Sequence, residues 1–182
     1  MKIQSIISIS GRISSGKSFA ANLIKNEFHL PIASFGDYLK YYCEQNNLPT
    51  DRNTLQYIGE SFVKDNPEKF LRDVISHFIG SADKIILDGV RHIAIIEAVN
   101  HLTDNCLLVF VEADLETRYK KYFERNKDSD SVKTIEQFRI ADSHPVEMEI
   151  ESLKQFCNIS VDSTSDYWIE LKNKIENLLL YS

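Results

Sequence analysis

The sequence predicts an α/β fold, a parallel sheet of five strands with helices on both faces. Three observations carry this expectation: short β-branched and apolar runs recur along the chain, amphipathic helical stretches separate them, and neither a repeat nor a low-complexity linker interrupts the alternation. With 182 residues the chain is sized for one domain and one sheet-centred core, spanning 1–182.

The first strand is expected over 2–10, where isoleucines at 3, 6, 7 and 9 lead into a glycine. A helix over about 17–27 follows, with Phe19, Leu23 and Ile24 on one face. The second strand falls within 29–35, and a helix runs from Tyr38 to Gln45, closed by Asn46-Asn47. Two helices come next, one opening near Asn53 or Thr54, the other with Asn66 as N-cap, Pro67 at its first position and Gly80 just beyond its end. KIILD (84–88) and 106–112 are the third and fourth strands. Asp114 caps a helix carrying Arg118 and Arg125, Thr134 and Gln137 form a capping box, and His144-Pro145 opens another helix. The fifth strand lies over 158–161, and a closing helix over 165–181 carries Trp168, Leu171, Ile175 and Leu178 on its apolar stripe.

Composition excludes several classes. The longest apolar runs, such as CLLVFV at 106–111, fall far short of the roughly 20 residues of a membrane span. The first residues lack the apolar core and small-residue cleavage site of a signal peptide, so a cytoplasmic location is expected. A net charge of −6 argues against stable nucleic-acid binding and against a polybasic membrane contact. Cys43, Cys106 and Cys157 are odd in number and widely spaced, and read as buried free thiols.

Residues 11–18, GRISSGKS, fit the pattern GxxxxGK[ST] between a strand and a helix. The glycines let backbone N–H groups turn around phosphates, Lys17 reaches the outer phosphate oxygens, and the Ser18 hydroxyl is a magnesium ligand. The expected nucleotide-binding set is Gly11, Arg12, Ile13, Ser14, Ser15, Gly16, Lys17, Ser18 and Phe19, with ATP and Mg2+ as cofactors. Four further segments bear on the reaction. In SFGDYLK (34–40), Asp37 stands at a strand's carboxyl end with Lys40 one turn on; the alternative is an N-capping Asp beside an exposed Lys. In ILDGVR (86–91), Asp88 is suited to the magnesium shell and Arg91 to a phosphate; a plain Asp-Gly turn is the alternative. From Arg118 to Arg139, seven basic residues face four acidic ones, a local +3 broken by the polar stretch NKDSDSVK. SVDSTSD (160–166) follows the last strand and could edge a nucleobase, although capping by Ser165 would also account for it.

In this order the segments resemble the P-loop nucleotide kinases, namely the adenylate-kinase-like nucleoside monophosphate kinases and the dephospho-coenzyme A kinase family. DRNTLQYIGE (51–60) and DGVRHIAIIEA (88–98) look closest to dephospho-coenzyme A kinase-like proteins and phage-type deoxynucleoside monophosphate kinases. The resemblance implies a three-layer α/β/α P-loop kinase fold, with an acceptor-binding helical segment over about 36–80 and a helical lid over about 118–144. It further implies that Arg91 and Lys40 hold the acceptor's phosphate, that Asp37 handles the acceptor, and that Arg118 and Arg125 clamp the transferring group. Lys17, Asp37, Arg91, Arg118 and Arg125 are thus the expected catalytic set, and Ser18 and Asp88 the metal ligands. The chain departs from adenylate kinase in Val90, in Lys40 where an arginine stands, and in having no cysteine-zinc lid.

The expected activity is phosphoryl transfer from ATP to a small (deoxy)nucleoside monophosphate by a monomer or homodimer. A hydroxyl-acceptor kinase of the dephospho-coenzyme A type, or one acting on nucleic acid, is the alternative; it would need Asp37 as general base. A nucleotide-binding switch or ATPase without acceptor is the third possibility.

Overall fold

The computed structural model describes residues 3–124 and 134–180. The elements run β1 (Ser5–Ser10), α1 (Lys17–Phe28), β2 (Ile32–Ser34), α2 (Phe35–Gln45), α3 (Arg52–Asp65), α4 (Pro67–Phe78), β3 (Lys84–Asp88), α5 (Ile93–Leu102), β4 (Cys106–Glu112), α6 (Leu115–Glu124), α7 (Ile135–Asp142), α8 (Pro145–Leu153), β5 (Ile159–Asp162) and α9 (Trp168–Leu180). All strand pairs are parallel, in the order β2-β3-β1-β4-β5.

Strand residues alternate between the two faces, so consecutive isoleucines serve different layers. Ile6, Ile85, Leu87 and Phe110 pack with Leu71, Val74, Ile95 and Ile150 from α4, α5 and α8. Ile7, Ile9, Ile86 and Val109 pack with Ala20, Ile24, Leu171 and Ile175 from α1 and α9. The result is the three-layer α/β/α arrangement expected from the alternation of elements.

Local signals account for most boundaries. Asn66 accepts the Lys69 N–H with Pro67 next to it, Thr134 accepts the Gln137 N–H, and Asp114 accepts the Thr117 N–H. Asp51 caps α3 by accepting from Asn53 and Thr54, a little ahead of the expected start. The helix α5 was not among the expected elements; it buries Ile95, Ala98 and Val99 in the core shared with α4 and α8 and leaves Glu97, Asn100 and His101 exposed. Phe19 is a second correction: it is 64 % exposed, and Ala20, Ala21 and Ile24 form the buried face of α1 instead. Ser165 caps no helix, since α9 begins at Trp168; Asp162 organises that turn by accepting from Thr164 and through the Ser165 hydroxyl bond to its carbonyl. Of the three free cysteines only Cys43 is buried, and Cys106 and Cys157 are partly exposed.

Arg118 supports the phosphate-loop side of the fold from within. It is 4 % exposed, donates from Nε to the Ala113 carbonyl at 3.1 Å, and forks onto the Asp142 carboxylate through both terminal nitrogens. Its guanidinium also stands 5.7 Å over the Phe138 ring. Arg12 reaches the same acid, 2.5 Å to its carbonyl and 3.1 Å to its carboxylate. This network ties α6 and α7 to the loop between β1 and α1 and pairs the buried Arg118 with the buried Asp142.

Arg118→Ala leaves Asp142 short of its bidentate partner in the interior and should lower unfolding free energy by about 3–5 kcal/mol in a urea titration. Ile86→Ala, in the central sheet, should cost about 2–5 kcal/mol in the same assay. Ile140→Ala, on an exposed face, should stay within about 0.5 kcal/mol of the parent.

Candidate active site

The chain reverses its direction of winding at β1, which pairs with β3 on one side and β4 on the other. In an open parallel sheet, the carboxyl ends flanking such a switch form a crevice. Register then decides which side chains meet there: Ile9 lies opposite Asp88, and Ser10 opposite Phe110. The N–H groups of Gly89 and Val90 both donate to the Ile9 carbonyl at 3.1 Å, and the Ser10 hydroxyl donates to the Val90 carbonyl at 2.7 Å. These bonds fix the β3 end against the start of the phosphate loop.

The loop itself needs its glycines. Gly11 has φ +141°, and a Cβ there would sit 2.2 Å from the Val111 carbonyl oxygen. Gly16, at φ 107°, occupies the N-cap of α1 and supplies no side-chain acceptor. No N-cap side chain covers the first turn of α1, the arrangement that suits a phosphate. Lys17 Nζ donates across the loop to the Arg12 carbonyl at 2.8 Å. The Ser18 hydroxyl donates to Asp88 Oδ2 at 3.0 Å, so the two expected metal ligands are adjacent although 70 residues apart. A hydroxyl and a carboxylate at a helix N-terminus are a donor set that suits Mg2+.

A cavity of about 530 Å3 runs from this loop into the space between α2, α3, α4 and α5. At the loop end it is lined by residues 13–19, Asp88 and Lys121; deeper, Phe35, Leu39, Leu55, Phe70 and Ile95 form apolar walls. Asp37, Lys40 and Arg91 all line it. The cap of α2 is Ser34, whose hydroxyl accepts the Asp37 N–H at 3.2 Å, so the Asp37 side chain does not cap the helix and is exposed.

Arg118 is not brought to this cavity. Its side chain is consumed by Asp142 behind the loop, because the register of α6 turns it inward. Lys121, one turn on, is the basic residue of α6 that lines the cavity: its Nζ donates to the Ser163 hydroxyl at 2.8 Å, and a Cβ at Gly16 would lie 3.7 Å from it. Ser163 thereby brings the SVDSTSD turn against the phosphate loop. Arg125 lies outside the described residues, as does all of NKDSDSVK.

Three more residues belong to the site and escaped the sequence. Arg52 lines the cavity beside Arg91, and both donate to one oxygen of Glu147, Arg52 at 2.7 Å and Arg91 at 2.8 Å. The other oxygen of Glu147 accepts the Ile13 N–H of the phosphate loop at 2.9 Å. Gln56 lines the deep part, and its Nε2 is buried without a hydrogen-bond partner. Arg52 and Gln56 fell inside the segment DRNTLQYIGE, whose spacing could have marked them as one helix face. Glu147 had no signal, being one of four acids in EMEIE and its flank, distinguished only by where α8 folds.

Burial pushes the Glu147 pKa up, but Arg91, then Arg52 and Lys17, outweigh it and hold the carboxyl at about 2. A pKa lowered on folding from an ordinary 4.5 to about 2 contributes stability that is fully present above pH 4.5 and is lost as pH falls toward 2. The contribution is on the order of 3 kcal/mol. Urea midpoints measured from pH 7 down to pH 3 should therefore fall below pH 4.5, and Glu147→Gln should be less stable at pH 7 with a shallower acid dependence.

The chain matches the family model described as AAA domain over residues 11–139. It is 23% identical to UPF0200 protein PAE1629 of Pyrobaculum aerophilum over 175 residues, 96% of this chain and 97% of that one. Among solved structures, it superposes on the shikimate kinase of Aquifex aeolicus with a TM-score of 0.57 at 19% identity, covering 96% of this chain and 95% of that one. A gluconokinase from Sinorhizobium meliloti 1021 gives a TM-score of 0.54 at 13% identity over 100% and 99% of the two chains. TT1252 from Thermus thermophilus gives 0.61 at 18% identity over 99% and 98%. With 11–139 covering the phosphate loop, both sides of the cavity and α6, the chain belongs to the AAA domain family and carries the P-loop kinase fold.

Proposed function

We propose that the protein is an ATP-dependent phosphotransferase that acts on a small nucleotide acceptor, a (deoxy)nucleoside monophosphate. The observation that carries this reading is one continuous cavity lined by a phosphate loop and, held beside that loop through Glu147, by two guanidiniums, Arg52 and Arg91. A switch or ATPase without acceptor has no need of a second, anion-selective half with apolar walls. The similarity to shikimate kinase and gluconokinase structures supports phosphoryl transfer to a small molecule and leaves the acceptor to be argued from the site.

In this proposal ATP lies with its phosphates on the loop from Gly11 to Ser18, where backbone N–H groups, the α1 N-terminus and Lys17 meet its charge. Phe19 stands exposed at the cavity edge, in contact range of the bound nucleotide. Ser18 and Asp88 would hold Mg2+, which supplies positive charge to the phosphate oxygens. Arg91 and Arg52 take the acceptor's anionic group, a bidentate contact that lysine does not reproduce. Lys40 adds a cation on the same side, and Gln56 offers an amide N–H to a ring or sugar. Lys121 takes the charge-neutralising place expected of Arg118. Transfer needs alignment more than covalent assistance, so the site has no need of a protein nucleophile. Residues 36–80 serve as the acceptor-binding segment and 118–144 as the lid, the middle of which, with Arg125, lies outside the described residues.

A second reading, a hydroxyl acceptor, draws on Asp37. Its carboxylate is not engaged in capping and lines the cavity, the position of a general base. A monophosphate, mostly ionised near pH 7, needs none.

An ADP-release screen over the ribo- and deoxyribonucleoside monophosphates, dephospho-coenzyme A and short DNA separates these readings. Stimulation by a monophosphate is the expected result; basal hydrolysis alone would overturn the kinase. Lys17→Ala should retain less than about a tenth of wild-type turnover, since losing that cation removes several kcal/mol of charge stabilisation. Arg91→Lys should raise acceptor KM sharply. Asp37→Asn should stay within about tenfold of wild type with a monophosphate, whereas a loss of about a hundredfold in kcat would favour the hydroxyl acceptor.

A further inference from the structure

Glu147 meets three segments that are remote in sequence. It is fully buried on α8, and its contacts come from the phosphate loop, from the first turn of α3 and from the β3–α5 connection. The two oxygens divide this work. Oε2 accepts from the nucleotide side, at Ile13 N–H, while Oε1 accepts from both guanidiniums of the acceptor side.

We propose that Glu147 is a positioning residue that links the two halves of the cavity: Oε1 presents Arg52 and Arg91 as one fork for an anionic group of the acceptor, and Oε2 couples that fork to the phosphate loop. The functional consequence rests on the phosphotransferase reading above.

Stability alone is a weak reason for such a residue, because a buried ion cluster is often matched or exceeded by apolar packing of the same volume. The geometry supplies a better one. Two guanidiniums that converge on a single oxygen would repel each other without the carboxylate between them. Each guanidinium carries five N–H donors, and Oε1 occupies one from each. The Arg91 side chain is 30% exposed and that of Arg52 18%, and both line the cavity, so both present surface to a ligand. A fork held in place before binding loses little side-chain entropy when the ligand arrives. Tightening or turning that fork changes the pull on Glu147 and hence on Ile13, which directly precedes Ser14, a non-glycine residue at φ 59° in the loop. Nucleotide and acceptor binding are then linked, and the linkage is reciprocal.

The test is a binding cycle by calorimetry. The dissociation constant of a non-hydrolysable ATP analogue with Mg2+ is measured alone and with each saturating ribo- or deoxyribonucleoside 5'-monophosphate. Wild type should bind the analogue about fivefold or more tightly with a monophosphate that stimulates ADP release, a typical allosteric coupling. Glu147→Gln, if folded by circular dichroism, should bring that factor close to one. Glu147→Asp keeps the charge but is one methylene too short to reach all three partners, and it should lose most of the factor with the fold intact; it decides the matter if Glu147→Gln does not fold. An unchanged factor in a folded variant, or no linkage in wild type, overturns the proposal. If no monophosphate stimulates ADP release, the acceptor assignment fails separately, and orthophosphate is titrated at saturating analogue instead. Binding in wild type that weakens about tenfold in Glu147→Asp supports the fork, and equal binding or none in wild type overturns it.

Discussion

Glu147 is a carboxylate without water, and its surroundings must supply what water would. Desolvation alone would drive it toward the neutral acid; Arg91, Arg52 and Lys17 keep it ionised. That requirement constrains three connections at once. The phosphate loop must offer the Ile13 N–H inward, α3 must begin where Arg52 can reach, and the β3–α5 connection must bring Arg91 to the same oxygen. An ion cluster of this kind repays its desolvation only when its geometry is good, so the position of α8 sets the shape of the cavity as well as its charge.

A second acid performs the parallel task behind the loop. Asp142 binds Arg118 and Arg12, and so anchors α6 and α7 to the outer side of the same turn. The phosphate loop is therefore held by two carboxylates, Glu147 beside the cavity arginines and Asp142 on the side of α6 and α7. Its glycines allow the backbone to pass close to Val111, while the two clusters keep the flanking side chains still. A loop meant to bind phosphate through its N–H groups benefits from that rigidity, because preorganised donors need not reorient when charge arrives.

The two ends of the cavity differ in chemistry. The loop end is polar and is built by the carboxyl ends of β1 and β3, the usual crevice of a sheet whose winding reverses. The far end is walled by Phe35, Leu39, Leu55 and Phe70, and Arg52, Arg91, Lys40 and Asp37 add charge to the lining, the two arginines beside the loop. Apolar walls with a few converging polar groups suit a ring-bearing molecule with an anionic substituent. The fold shared with the shikimate kinase and gluconokinase structures leaves the lining of the far end free to vary.

Much of this protein was legible in the residues taken one after another. Strand and helix periodicity, the caps at Asn66, Asp114 and Thr134, and GRISSGKS between a strand and a helix are local patterns; local sterics and hydrogen bonding decide them. The same locality explains why Ser18 and Asp88 could both be named, since each closes or opens an element at a known end of the sheet. What the sequence left undetermined was the direction of side chains set by packing. Whether Arg118 or Lys121 faces the cavity depends on the rotation of α6 against the loop, and both fit the same basic run. The buried stripe of α5, Ile95, Ala98 and Val99, was hidden because Ile93, Ala94 and Ile96 beside it are apolar too, and only packing separates them. Glu147 was one acid among several until α8 folded back and removed it from water, and only there did desolvation and three distant partners make it different from its neighbours.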